Sequence, residues 1–170
     1  GGREAIADDL PGVTRDRVEL EATWRGRRFR LVDTAGYVAD AGGIEVLTRD
    51  QADRAMAEAD VIVLVGDART GITEEDAALA RTLRRATVPV VVAVNKVDTH
   101  AEEPDAATFN ALGLGEPMPV SGLHGRGAGE LLDRIVQLLP EAPNATDDES
   151  EPRFAVVGRP NVGKSSLFNR

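Results

Sequence analysis

Three short stretches of this sequence carry residue types whose order suggests chemistry on a phosphorylated ligand. Gly158-Arg159-Pro160-Asn161-Val162-Gly163-Lys164-Ser165 fits GxxxxGK[ST] and stands directly behind the apolar run FAVV. Glycines there let the backbone wrap a polyphosphate with its amides turned inward, Lys164 reaches the terminal phosphates as a point charge, and the Ser165 hydroxyl suits Mg²⁺. Asp33-Thr34-Ala35-Gly36 follows an alternating run. A carboxylate at Asp33 can hold Mg²⁺ through water and the Gly36 amide can meet a γ-phosphate, although DxxG by itself is equally an ordinary turn. Asn95-Lys96-Val97-Asp98 closes the run VVVAV. A carboxylate at Asp98 accepts two hydrogen bonds from the N1–H and 2-amino groups of guanine, whereas adenine offers neither donor and strands a buried charge. The remaining reading of this stretch is a capped turn with a salt-bridged lysine.

Lysine usage supports a role for these stretches. The chain has 18 arginines and two lysines, and the lysines are Lys96 and Lys164. Arginine's planar fork does not substitute for a compact ammonium at a phosphate or for a stem lying along a base.

The elements that must position these residues are strands and helices by turns. RVELEATWRGRRFRLV, residues 17–32, alternates around Arg25-Gly26 as a hairpin does, with Val18, Leu20 and Ala22 on one face. Residues 45–59 carry Leu47, Ala52, Ala55, Met56 and Ala59 at helical spacing, and VIVLV reads as a strand buried on both faces. Thr73 with Asp76 makes a capping box that opens a helix through about Ala86. VPVVVAV predicts another buried strand. Beyond it the pattern predicts a short helix over 105–112, a short strand over 117–120 and a helix over 127–139 with Leu131, Leu132, Ile135, Val136 and Leu139 on its core face. Residues 140–152 combine prolines with an acidic cluster and read as a solvated linker. FAVV is then a new strand. The alternation predicts an α/β fold, a mostly parallel sheet with helices on both faces.

Composition excludes several other classes. Without cysteine there are no disulfides, thiolate metal sites or thiol catalysis, and two separated histidines make a histidine metal cage unexpected. A net charge of −9 argues against nucleic-acid binding through bulk charge. The longest apolar runs, at Val61 and Val90, are strand-sized, far short of the roughly 20 residues of a bilayer span. The expected setting is therefore cytoplasmic, with no membrane partner. A chain opening on Gly1 without a signal sequence and closing on SSLFNR is expected to belong to a longer product.

PGVTRDR (11–17), DTAGY (33–37), NKVD (95–98), VSGLHGRGAGELLD (120–133) and VGRPNVGKSSLFNR (157–170) together resemble the tandem GTPases called Der or EngA, bacterial ribosome-assembly factors with two consecutive G domains. The resemblance covers almost the whole chain. It implies a P-loop NTPase fold of the Ras-like G-domain kind and Mg²⁺-dependent hydrolysis of GTP to GDP as a switch, with the large ribosomal subunit as partner. By it, Gly158, Asn161, Val162, Gly163, Lys164, Ser165 and Ser166 hold the phosphates, and Asn95, Lys96 and Asp98 read the base. Ser121, Gly122 and Leu123 form a loop whose amides touch the guanine oxygen, and Thr14 closes on γ-phosphate and Mg²⁺. The implied catalytic set is Lys164, Thr14 and Gly36, and the metal set Ser165, Thr14 and Asp33. The family usually has alanine where this chain has Gly122. Tyr37 stands where Ras-like enzymes place a water-orienting glutamine, so it either leaves hydrolysis slow or packs beside the switch. Asn161 is similar to an asparagine that helps hold K⁺ in related GTPases, and it is also an ordinary turn residue.

The order of the motifs is unusual, because the phosphate loop comes last. Residues 1–139 read as a first G domain without its own first strand and P-loop, 140–152 as the acidic linker, and 153–170 as the start of a second G domain. Alternatively the chain acts as a circular permutant. A linker of 13 residues reaches up to about 40 Å, so the strand over 154–157 can enter the centre of the sheet in cis, or a neighbouring copy can supply it by swapping into a homodimer. A rival function is a non-catalytic module that engages RNA or protein through Arg15, Arg17, Arg25, Arg27, Arg28 and Arg30, with Asp16, Glu19 and Glu21 weakening that patch.

Overall fold

The computed structural model describes residues 18–33, 53–141 and 151–168. Its first element pair follows from the alternation around Arg25-Gly26. Strand β1 (Val18–Trp24) pairs antiparallel with β2 (Arg27–Asp33), and both turn residues take positive φ, 49° and 79°, as a tight two-residue hairpin requires. Helix α1 (53–58) is the described part of the helix expected over 45–59. Strand β3 (Val61–Asp67) is buried along its whole length, as its unbroken apolar run predicts.

Helix α2 (Glu74–Leu83) opens on the full capping box between Thr73 and Asp76. It ends three residues before the predicted Ala86, since the chain must turn extended ahead of Pro89. After β4 (Val90–Asn95) come α3 (Glu103–Ala107) and a 3₁₀ turn over Thr108–Leu112, so the predicted short helix starts two residues early and tightens at its end. Strand β5 is only Met118–Pro119, because Pro117 and Pro119 have no N–H to give a ladder. A 3₁₀ turn over His100–Glu102 precedes α3, and helix α4 (Ala128–Leu138), β6 (Arg153–Val157) and α5 (Lys164–Phe168) complete the described elements.

Among the described residues these strands form one sheet in the order β1-β2-β6-β3-β4-β5. The late strand β6 therefore lies in the middle, parallel to β2 on one side and β3 on the other. Its own chain supplies it, so closure needs no second copy. Phe154 stands opposite Leu31 and Val61, and Val156 opposite Asp33 and Val63. Its entry is pinned by Arg30 N–H donating to the Pro152 carbonyl and Asp60 N–H to the Arg153 carbonyl, both at 2.8 Å.

Period-two alternation along β6 splits the core. Phe154 and Val156 join Phe29, Leu31, Val63 and Val65 beneath α4 and α5, whose Leu131, Ile135 and Leu167 cover that face. Ala155 and Val157 join Ile62, Leu64, Val92 and Val94 on the other, covered by Ala55, Ala80, Leu83, Ala106 and Phe109. Helices on both faces of a mainly parallel sheet is the α/β P-loop arrangement that the sequence predicted.

Two expectations change. Residues 142–150 of the linker lie outside the described residues, but Glu151 is not solvated: its carboxylate pairs with Arg28 at 3.4 Å and Arg30 at 3.7 Å, and Pro152 is buried. The hairpin arginines are likewise committed within the molecule. Arg25 binds Asp133 at 2.6 Å, Arg27 donates to the carbonyls of Val136, Leu139 and Pro140, and Arg30 also meets Glu21 at 3.6 Å. Arg15 and Arg17 lie outside the described residues. A basic patch held by the protein's own acids and helix C-terminus is poorly suited to recruit RNA.

Candidate functional site

Parallel strands in register end together, and Asp33 of β2, Gly158 after β6, Asp67 of β3 and Asn95 of β4 all stand at that carboxyl edge. In open α/β sheets this edge is where ligands bind.

The loop from Gly158 to Lys164 turns on residues with positive φ: Gly158 at 150°, Asn161 at 62° and Gly163 at 88°. Glycine is needed at two of these for space as well. A Cβ on Gly158 would stand 2.5 Å from the Val65 carbonyl oxygen, and one on Gly163 2.3 Å from Asn95 Nδ2. Lys164 is buried and its ammonium donates to the carbonyls of Gly158 at 2.9 Å and Arg159 at 3.0 Å. Burial lowers its pKa, and the nearby Asp33 carboxylate pulls in the opposite direction. The Ser165 hydroxyl donates to Asp33 Oδ2 at 2.9 Å across 132 residues of chain, and Asp33 Oδ1 is buried with no hydrogen-bond partner among the described residues.

At the other end of the cleft, buried Asn95 ties two loops together. Its Nδ2 donates to the Val162 carbonyl at 2.7 Å and its Oδ1 accepts the Gly122 N–H at 2.8 Å. The Gly122 amide, expected to touch a base oxygen, is thus taken by Asn95. Gly122 also sits tightly: a Cβ there would be 3.2 Å from the Leu167 nitrogen of α5. Asp98 Oδ1 accepts the Ser121 hydroxyl and Oδ2 accepts Arg69 Nη2, each at 2.6 Å. Lys96, at φ 68°, donates to Asp67 Oδ2 at 2.6 Å. Burial raises the Asp67 carboxyl, but the Lys96 ammonium and the amides of Arg69 and Thr70 outweigh it and hold its pKa below the ordinary value. Asn95, Lys96, Asp98, Gly122, Leu123, Gly163, Ser166 and Arg69 line a cavity of about 480 Å³.

The structure therefore gathers Asp33, Asn95, Lys96, Asp98, Ser121, Gly122, Leu123 and the residues of the phosphate loop at one cleft. Asn161 is exposed on the loop. Thr14, Gly36 and Tyr37 lie outside the described residues. Sequence reasoning missed Asp67 and Arg69. The available signal was that Asp67 ends β3 as Asn95 ends β4, directly opposite it in register.

Comparison with known proteins fits this cleft. A family model described as 50S ribosome-binding GTPase matches residues 1–96 and 153–170, two separate segments that the sheet brings together. Proteins named GTPase Der are 53% identical over the whole chain in Streptomyces coelicolor and 51% in Salinispora arenicola and in Corynebacterium efficiens. The chain spans 37%, 37% and 32% of these relatives. Among solved structures, translation elongation factor SelB from Methanococcus maripaludis, in complex with a GTP analogue, is similar with TM-score 0.57 at 23% identity, covering 81% of this chain and 31% of that one. The cytosolic domain of the T. maritima FeoB iron transporter in a GDP form gives TM-score 0.54 at 25% identity, covering 80% of this chain and 54% of that one. Those likenesses carry the fold, while the family match carries the kinship: the chain belongs to the 50S ribosome-binding GTPase family.

Proposed function

We propose that this chain binds guanine nucleotides and hydrolyses GTP, by water attack that breaks the bond to the γ-phosphorus and releases GDP and phosphate. The observation that carries this reading is the Ser165–Asp33 hydrogen bond, since it puts the phosphate loop of one end of the chain against the strand end of the other. Lys164, now on loop carbonyls, would turn to the terminal phosphates, where it and the loop amides meet charge that grows in the transition state. Asp98 would accept the guanine donors, and the Leu123 amide would meet the base oxygen.

The residues present fit Mg²⁺. A hydroxyl and a carboxylate stand side by side, the hard oxygen donors that Mg²⁺ prefers, and Asp33 Oδ1 has no hydrogen-bond partner among the described residues. When bound, Mg²⁺ would offset phosphate charge, with Ser165 and Asp33 as its holders and Thr14 as the third expected one. Gly36 remains the expected γ-phosphate contact and Asn161 the expected K⁺ ligand. As a family member the chain would serve as a switch on the large ribosomal subunit, in the cytoplasm. No helix among the described residues is long and apolar enough to cross a membrane. Residues 153–170 would begin a second G domain in the longer relatives and here complete the first.

Titration of the 170-residue chain with fluorescent GTP and ATP analogues in Mg²⁺, alongside Lys164→Ala and Asp98→Ala, tests the reading while solution mass reports on swapping. GTP-selective binding by a monomer, lost in both variants, is expected. Binding that survives Lys164→Ala refutes the shared site.

A further inference from the structure

The carboxylate that would read the base is already engaged on both oxygens. Ser121 holds Asp98 Oδ1, and Arg69 Nη2 donates to Oδ2 at 2.6 Å. Arg69 is delivered from the loop behind β3, where its backbone N–H is anchored on Asp67 Oδ1 at 2.9 Å, and Asp67 Oδ2 in turn holds Lys96. One loop thus touches both charged residues of the NKVD stretch. The Arg69 side chain is 60% exposed and that of Asp98 15%, so the arginine is the partner with open access to solvent.

Guanine presents its oxygen, its N1–H and its 2-amino group in that order along one edge. Ser121 belongs to the same loop as Leu123, at the oxygen end, so Asp98 Oδ1 falls to the N1–H and Oδ2 to the 2-amino group. We propose that Arg69 is a further specificity-determining residue, standing on Asp98 Oδ2 in the place of the guanine 2-amino group. The inference rests on the guanine-binding reading above. Arg69 keeps a mostly buried carboxylate paired, and it withdraws only for a base that brings its own donor to that oxygen. Hypoxanthine has the N1–H but no 2-amino group, so it binds with Arg69 still in place. Guanine must displace it. Arg69 therefore narrows the gap between the two bases, and removing it widens the gap.

The test is displacement of a fluorescent GDP analogue from the 170-residue chain by GDP and by IDP in Mg²⁺, for the wild type, Arg69→Met and Arg69→Ala. Both variants are expected to bind GDP more tightly by up to about five-fold, the upper end of what an exposed ion pair supports, with IDP unchanged or weaker. The GDP/IDP preference then rises by at least the same factor as GDP binding tightens. Arg69→Met keeps the stem along the cavity wall, so agreement between the two variants assigns the change to the lost donor rather than to lost packing. Parallel weakening of GDP and IDP, or an unchanged preference, overturns the inference and leaves the guanine reading standing. Failure of the wild type to bind GDP overturns both.

Discussion

Ending the chain after Glu141 removes β6, the phosphate loop and α5, and its cost can be worked from the residues lost. Phe154, Val156, Val157, Val162 and Leu167 are buried in the two core layers. Full burial of such a side chain contributes roughly 1.5–3 kcal/mol, so together they account for roughly 8–15 kcal/mol, as large as the whole stability of an ordinary domain. The ladder groups of β2 and β3 that face β6 lose their partners as well. Residues 1–141 alone should therefore show no cooperative urea transition. The one tryptophan, Trp24, reports this directly, because its indole N–H donates to Asp133 of α4 at 2.7 Å and the ring packs on the core beneath β6. Its emission should be that of a solvated indole. Adding a synthetic 151–170 peptide should restore both the transition and the blue-shifted emission. As a graded version, Phe154→Ala in the full chain should lose about 3–5 kcal/mol, since its ring lies 5.3 Å from that of Phe29 and 5.5 Å from that of Phe168. A cooperative transition of native stability in 1–141, or a loss below about 1 kcal/mol in Phe154→Ala, would refute the reasoning.

Three further outcomes are expected. Asn95→Ala leaves the buried Val162 carbonyl and Gly122 N–H unpaired, at about 1–3 kcal/mol each, so the urea midpoint should fall and guanine-nucleotide binding should vanish. Gly163→Ala must carry positive φ and drive its Cβ into Asn95 Nδ2, so it should reproduce much of that loss, whereas Gly26→Ala, with no atom of the described residues within 4 Å of its Cβ, should show only the strain of its φ. Asp67 has a folded pKa held below the ordinary value, so its stabilisation is complete above the unfolded pKa, about 3.9, and disappears as pH falls through the folded one. Asp67→Asn should accordingly be less stable than the wild type at pH 7 and the difference should shrink below about pH 4, which urea unfolding at pH 7, 5 and 3.5 would reveal.

Much of the architecture was legible because period and punctuation are local. VIVLV and VVVAV read as strands covered on both faces, Arg25-Gly26 as a tight turn between alternating runs, and Thr73 with Asp76 as a helix start, and the structure has all three. Boundaries were harder where proline removed a donor, as at β5, or forced extension, as before Pro89. The hairpin arginines, read only as a rival interaction patch, turn on a related point. Residue type announces a charge, but only the approach of α4 and of Glu151 shows that those charges are already answered.

The sequence alone determined the chemical inventory that the proposed function uses: a glycine-rich loop with its lysine, a carboxylate proposed to discriminate bases, and a hydroxyl and a carboxylate proposed to hold Mg²⁺. It left open whether these belonged to one site, because alternation along β6 says which residues face up and which face down, never which strands lie beside them. Neighbours are set by where buried area and ladder hydrogen bonds are greatest, and between β2 and β3 both are satisfied at once by the strand that arrives last in the chain. Only that tertiary choice joins Ser165 to Asp33 and Asn95 to Val162.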